Sequence, residues 1–258
     1  MLPLLFPGTA FETPTYFVLY LMAFLGAILL ATRLAPRWGL SPVRAIDFGF
    51  WAFVFGFLGA RLVHILVEAP SYYWNDPIRV FYFWQGGFVL YGGLIAAALG
   101  LWFIARWLKE PYLLWGDRLA PAIFLGIGIG RMGCLSAGCC HGGTTTAAWG
   151  IIFTHPQSGA PLHMALHPTQ ALESLFGFVM CGVFLWAYRR PPQRQGEALV
   201  MTALVYSVFR FTIEFLRGDF DRGVYSSVGL STSQMISLGL GVISMIWLFL
   251  WRKPTSPS

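Results

Sequence analysis

Long apolar runs separated by short polar breaks dominate this chain. They predict helices near 15–34, 46–67, 88–107, 117–131, 171–188, 198–216 and 232–251. A helix crossing a bilayer core needs about 20 mostly apolar residues. The pattern therefore predicts an all-α polytopic membrane protein with seven transmembrane helices. Gly and Pro recur inside the runs, as packed membrane helices tolerate. The fourth run is short and ends in Gly126, Gly128 and Gly130. Gly126 and Gly130 form a small-xxx-small pair that lets a neighbouring backbone approach. No strand precedes them and the spacing is wrong for a dinucleotide loop. The longest irregular stretch, 134–169, carries Cys139, Cys140, His141, His155, His163 and His167. Loops of this length in a compact protein usually carry function. No internal repeat is visible. The whole chain, 1–258, reads as a single transmembrane domain with a short disordered tail over its last six residues.

Composition agrees with the pattern. Of 258 residues, 57% are hydrophobic and only 11% charged, and the mean hydropathy is +0.64. That excludes a disordered chain and argues against a soluble globular enzyme. The net charge is +6, and 15 of the 17 basic residues are Arg. In a membrane protein this excess belongs to cytoplasmic loops, so no nucleic-acid partner is implied. With the N-terminus outside, Arg33, Arg37, Arg44, Arg106, Lys109, Arg118, Arg189, Arg190, Arg194, Arg252 and Lys253 fall inside. Arg61, Arg79, Arg131, Arg210, Arg217 and Arg222 fall outside or are embedded. The bias predicts N-out and C-in, with the 134–169 loop periplasmic. The first residues lack a basic region before the apolar run, so a retained anchor is expected rather than a cleaved signal. The chain is expected to be monomeric.

Four of the outer Arg lie at or inside helix ends, where a charge is costly unless paired or facing a ligand. Arg210, Glu214 and Arg217 fall at i, i+4 and i+7, on one helical face. One reading is a structural Glu-bridged pair. The other is an anion site in which Glu214 holds two guanidinium forks, and the excess positive charge favours it. Arg131, after the glycine-rich run, and Arg61 have a snorkelling explanation singly. Together the four point to one phosphate-bearing ligand in the outer leaflet. Cys134, Cys139, Cys140 and His141 form C-x4-C-C-H, whose spacing is not that of a zinc finger or ribbon. Metal binding, a disulfide, a nucleophilic thiol with His141 as base, and a glycine-freed tight turn all remain open. No metal site is assigned. His163 and His167 lack the Glu of a zincin motif. Thr169 reads as a helix N-cap, His64 as a packed residue and Cys181 as core.

These residues resemble the prolipoprotein diacylglyceryl transferase family from about Phe6 to Asp219. The resemblance runs through Phe6-Pro7-Gly8, Tyr16…Tyr20, Ala31-Thr32-Arg33, Gly59-Ala60-Arg61 and Tyr91-Gly92-Gly93-Leu94-Ile95. It continues through Gly130-Arg131-Met132-Gly133, His167-Pro168-Thr169-Gln170…Glu173 and Arg210…Glu214-Phe-Leu-Arg217. It implies a bacterial inner-membrane transferase that needs no cofactor. Such an enzyme moves the diacylglyceryl group of phosphatidylglycerol to the thiol of a lipobox cysteine on an exported protein. A thioether forms and glycerol phosphate is released. Carried over residue by residue, Arg131, Arg210 and Arg217 bind phosphate, with Glu214 as the pairing acid. Tyr16, Arg61, Gly92, Gly93 and Gln170 belong to substrate binding.

The chain departs from the family on the acceptor side. Tyr91 stands where the family has a His often assigned as base. Cys134, Ala137 and Cys139 replace the two Asn and the Glu of the signature that follows Arg131. Tyr91, with Cys139 or His141, is expected to replace the base. The departures leave open a paralogue with another thiol or small-molecule acceptor. A thiol-redox or metal-binding protein centred on the cysteines, and a lipid-binding scaffold with an inactivated site, also stay open.

Overall fold

The computed structural model describes residues 3–9, 11–83, 87–188, 194–219, 224–225 and 229–251. Arg189, Arg190, Arg222, Arg252, Lys253 and the expected tail lie outside them. The helices are α1 (Thr15–Leu34), α2 (Pro42–Val63), the short α3 (Pro70–Asn75), α4 (Leu90–Leu108), α5 (Tyr112–Ala137), α6 (Thr169–Ala187), α7 (Glu197–Ile213) and α8 (Thr232–Trp251). Among the described residues, seven stretches are long and apolar enough to cross a membrane, so this is an all-helical multi-pass membrane protein. Among the described residues the strands are two residues each and pair as antiparallel two-stranded ladders, as in Ile151–Ile152 with Ala165–Leu166.

The chain forms two compact units, Met1–Ala31 with Gly116–Ser258, and Thr32–Trp115. In the second unit, α2 packs on α4 along a seam of small residues. A Cβ at Gly93 would lie 2.9 Å from the Gly56 carbonyl, and one at Gly92 would lie 2.8 Å from that of Gly59. Such closeness lets backbones touch, the main attraction left where lipid removes any hydrophobic drive. After Val63 the helix widens into a π-turn, His64–Glu68. There His64 Nδ1 lies 2.8 Å from Glu68 Oε2, with its ring edge-on to Tyr73. His64 is thus packed, as expected.

In the first unit, α7 packs on α8, and α5 packs on α6 through Gly128 and Gly177. Ser174 Oγ donates to the Gly128 carbonyl at 2.8 Å. Asp117, fully buried, accepts from the backbone N–H of Gly196 at 2.6 Å and of Leu199 at 2.8 Å. It caps α7 from a neighbouring helix and satisfies two of the donors that a helix start leaves open. Cys181 sits in the apolar core with Ala120, Phe124, Phe184 and Ala198, as expected.

The fourth helix is longer than its apolar run. It absorbs Pro121 and continues through Arg131 and Cys134 to Ala137. The expected loop therefore starts later, and Cys134 is a buried helical residue. Thr169 is not an N-cap; Pro168 holds that position.

Candidate active site

Four helices of the first unit supply the site. α5 contributes Arg131 and Cys134 near its C-terminal end. The opening turns of α6 contribute Gln170 and Glu173. α7 and the turn after it contribute Arg210, Glu214 and Arg217, and α1 contributes Tyr16 and Tyr20. Arg131 Nε lies 2.6 Å from Glu173 Oε2. Arg217 Nη1 lies 3.9 Å from Glu173 Oε1. Arg210 Nη1 lies 2.7 Å from Glu214 Oε2, and its Nη2 donates to Ser233 Oγ at 3.2 Å. The Glu173 side chain is 1% exposed. Charges so deep in apolar surroundings persist only when paired.

This arrangement corrects one expectation. Glu214 was expected to hold both Arg210 and Arg217, but α7 ends at Ile213 and tightens into a 3₁₀ turn, Glu214–Leu216. Arg217 then adopts extended backbone, φ −73° and ψ 143°, which takes it off the shared face. The carboxylates that reach Arg217 are Glu173 and Asp219. Arg217 Nε donates to Asp219 Oδ1 at 2.8 Å, and Nη2 pairs with Oδ2. Burial opposes the charge on Arg217, but the Asp219 hydrogen bonds and the negative charge of Cys140, Asp219 and Glu173 raise its pKa. The expected positive excess also changes. Three guanidiniums face three carboxylates, one of them, Asp219, partly exposed.

Beside this frame lies a three-thiol cluster. The Sγ atoms of Cys134, Cys139 and Cys140 all lie within 4.8 Å of one another. All four cysteines are free thiols, so no disulfide joins them. Tyr20 Oη is 3.6 Å from Cys134 Sγ. Arg131 Nη1 donates to the same sulfur at 3.9 Å. Hydrogen bonds from Cys134 and Cys139 hold the Cys140 thiol well below its ordinary pKa. Burial opposes this, and the charges of Arg217 and Arg131 reinforce it. The same contacts with Cys134 and Cys140 push Cys139 up.

The loop bearing these thiols is pinned. The Thr169 hydroxyl donates to the Cys140 carbonyl at 2.9 Å, and Gln170 Nε2 donates to the Cys139 carbonyl at 2.9 Å. Thr169 and Gln170 are fully buried. Cys140 itself sits at φ +57°, a region non-glycine residues rarely enter and which recurs at functional sites. Further on, Gly142 N donates to the His167 carbonyl at 3.1 Å, Gly143 N to that of Leu216 at 2.9 Å and Gly218 N to that of His141 at 3.1 Å. The cysteine loop is thus stitched to the backbone around Arg217. A Cβ on Gly218 would lie 2.7 Å from the Gly142 carbonyl, which explains the glycine there.

His141 is buried, with Nδ1 2.9 Å from the Gly142 carbonyl. The Tyr16 ring lies against that of Tyr20 at a tilt of 40°, centroids 4.3 Å apart. Arg61, Tyr91, Gly92 and Gly93 belong to the second unit. There the buried Arg61 guanidinium donates to the carbonyls of Arg79, Val80, Tyr82 and Gly87 and lies over the rings of Tyr73, Phe83 and Phe88. In this structure Arg61 fastens the segment between α3 and α4. Gly92 and Gly93 form the α2–α4 seam. Glu173 and Asp219 were not among the site residues the sequence suggested. The signal for Glu173 was available: an acid in an apolar run, three residues after Gln170 and so on its face.

Fold and site together define a multi-pass membrane protein with a buried arginine–carboxylate frame, walled on one side by a cysteine loop. A family model described as prolipoprotein diacylglyceryl transferase matches residues 3–251, and the chain belongs to that family. Among its relatives is phosphatidylglycerol–prolipoprotein diacylglyceryl transferase 2 of Clostridium perfringens. It is 38% identical over 213 residues, covering 82% of this chain and 80% of the relative. The phosphatidylglycerol–prolipoprotein diacylglyceryl transferase of Pseudoalteromonas atlantica is 32% identical over 252 residues, covering 95% and 88%. That of Clostridium tetani is 32% identical over 238 residues, covering 92% and 93%.

Proposed function

We propose that this chain transfers the diacylglyceryl group of phosphatidylglycerol to the cysteine thiol of an exported prolipoprotein. The reaction takes place in a bacterial inner membrane, with the N-terminus and the cysteine loop on the outer side. The names of its relatives supply both substrates. The observation that carries the reading is the buried frame in which Glu173 holds Arg131 and Arg217 on its two oxygens.

A guanidinium has five N–H donors in a fixed fork, so pairing with one carboxylate leaves donors for a second anion. The acceptor thiol gives up its proton to solvent, and its sulfur forms a bond to the terminal glycerol carbon of the diacylglyceryl group. The C–O bond to phosphate breaks, and glycerol phosphate leaves with the electron pair. Charge grows on the departing phosphate, and donors already oriented in a low-dielectric site stabilise it without reorganisation. Arg131 and Arg217 take this role, Glu173 sets their spacing, and Arg210 with Glu214 completes the wall. The loop of Cys139 and His141 is stitched to Arg217, which supports an acceptor seat there. Gln170 Oε1 is buried with no hydrogen-bond partner among the described residues, and is suited to accept from a substrate hydroxyl.

The test is direct. Purified protein in detergent is given phosphatidylglycerol and a lipobox peptide, and the peptide is followed by mass spectrometry. A diacylglyceryl adduct on its cysteine, absent from a Cys→Ser peptide, is expected. No adduct from protein that still binds the lipid would contradict the reading.

A further inference from the structure

We propose that Cys134, Cys139 and Cys140 form a three-thiolate zinc(II) site whose open fourth position takes the acceptor cysteine thiol. Three sulfurs within 4.8 Å of one another are near what zinc requires. A tetrahedral Zn–S length of about 2.3 Å puts neighbouring sulfurs about 3.8 Å apart, so closure needs a shift of roughly 1 Å. The loop is built to hold them. The carbonyls of Cys139 and Cys140 are clamped by the buried Gln170 and Thr169, and Cys134 is anchored in α5. Tyr20 and Arg131 reach the Cys134 sulfur from outside the cluster, as hydrogen-bonding neighbours of metal ligands do. Cys139 and Cys140 are only half-buried, which leaves an approach to the fourth position. Three protein ligands with one open place is the arrangement of catalytic zinc, whereas structural sites are closed by four.

The proposal rests on the transfer reading and deepens it. The chain has Tyr91 where the resemblance leads one to expect a base, and the cysteines occupy the acceptor side of the signature. A thiol that coordinates zinc is deprotonated outright, so no side-chain base is needed. The acceptor thiol binds the metal as a thiolate and its proton passes to bulk water. Its sulfur then forms the bond to the glycerol carbon as the C–O bond to phosphate breaks. Zinc(II) is neither oxidised nor reduced, and the uncharged thioether, a far weaker ligand, departs.

Two measurements test this on the full chain in detergent, reduced and metal-free at the outset. Titration with zinc(II) against a chromogenic chelator is expected to show one zinc per chain. Cys134→Ser, Cys139→Ser and Cys140→Ser should each weaken binding at least tenfold while keeping the wild-type melting temperature, and Cys181→Ser should bind as the wild type does. Cobalt(II) in place of zinc is expected to give tetrahedral thiolate spectra that shift when a lipobox peptide is added and not when its Cys→Ser form is added. Zinc uptake unchanged in the three serine variants, or none in the wild type, would overturn the site. Cobalt spectra indifferent to the peptide thiol would overturn the open fourth position. Zinc and peptide both bound, with no thioether formed from phosphatidylglycerol, would instead overturn the transfer reading and leave the site standing.

Discussion

Glu173 joins Arg131 to Arg217 and has almost no contact with solvent. Removing one partner of a buried ion pair leaves an uncompensated charge, at a cost of about 3–5 kcal/mol. Glu173→Gln is therefore expected to lower thermal stability in detergent by about 3 kcal/mol and to abolish most turnover. A melting curve beside the turnover assay checks both. Asp219 makes the opposite case. It occupies the Arg217 fork from a partly exposed position, where an incoming phosphate would compete for the same donors. Asp219→Asn is expected to lower KM for phosphatidylglycerol several-fold, read from initial rates against lipid mole fraction. The arginines of this site were legible in the sequence because charge in an apolar helix always asks for a reason. Glu173 was equally legible by that rule but sat in a segment read as a helix start. Thr169 looked like its cap, whereas its hydroxyl serves the Cys140 carbonyl.

At the scale of elements, helices meet where glycines allow it. A Cβ at Gly177 would lie 2.8 Å from the Gly128 Cα, whereas one at Gly182, a turn further along α6, meets nothing within 4 Å. Gly177→Val is expected to cost about 1–3 kcal/mol through overpacking and to disturb Glu173 one turn away. Gly182→Ala should be neutral, or stabilise the helix by about 0.5–1 kcal/mol. Comparing the two melting temperatures checks this. Helix existence was readable from the apolar runs, but helix ends were not. α5 outruns its run at both ends and carries Arg131 and Cys134 within it, because neighbouring helices cover its polar and glycine-rich turns. The tightening after Ile213 was also hidden, since i, i+4, i+7 spacing describes a face only while the helix persists.

For the whole molecule, seven spans followed from length and apolarity alone, and the described residues contain seven. The division into two compact units has no counterpart in the apolar runs, which recur along both. Sidedness is carried by the Arg bias, and N-out with C-in is the expected arrangement. A green fluorescent protein fused after Ser258 should fluoresce, while alkaline phosphatase at the same place should be inactive; the reverse pattern would invert the orientation. Nothing in the apolar pattern distinguishes an enzyme from a channel. That distinction comes from the few buried charges, and from the cysteine loop, whose His141 and Gly143 are tied to the backbone beside Arg217.

The central claim is that the buried guanidiniums receive the phosphate of the lipid donor. The most direct test is the rate of glycerol phosphate release from labelled phosphatidylglycerol, with saturating lipobox peptide, in wild type and in Arg131→Ala. Losing one oriented donor at a site of developing charge costs about 100- to 1,000-fold. A fall of that size, in protein that still melts cooperatively, is the expected result. Release at the wild-type rate from Arg131→Ala would contradict the account.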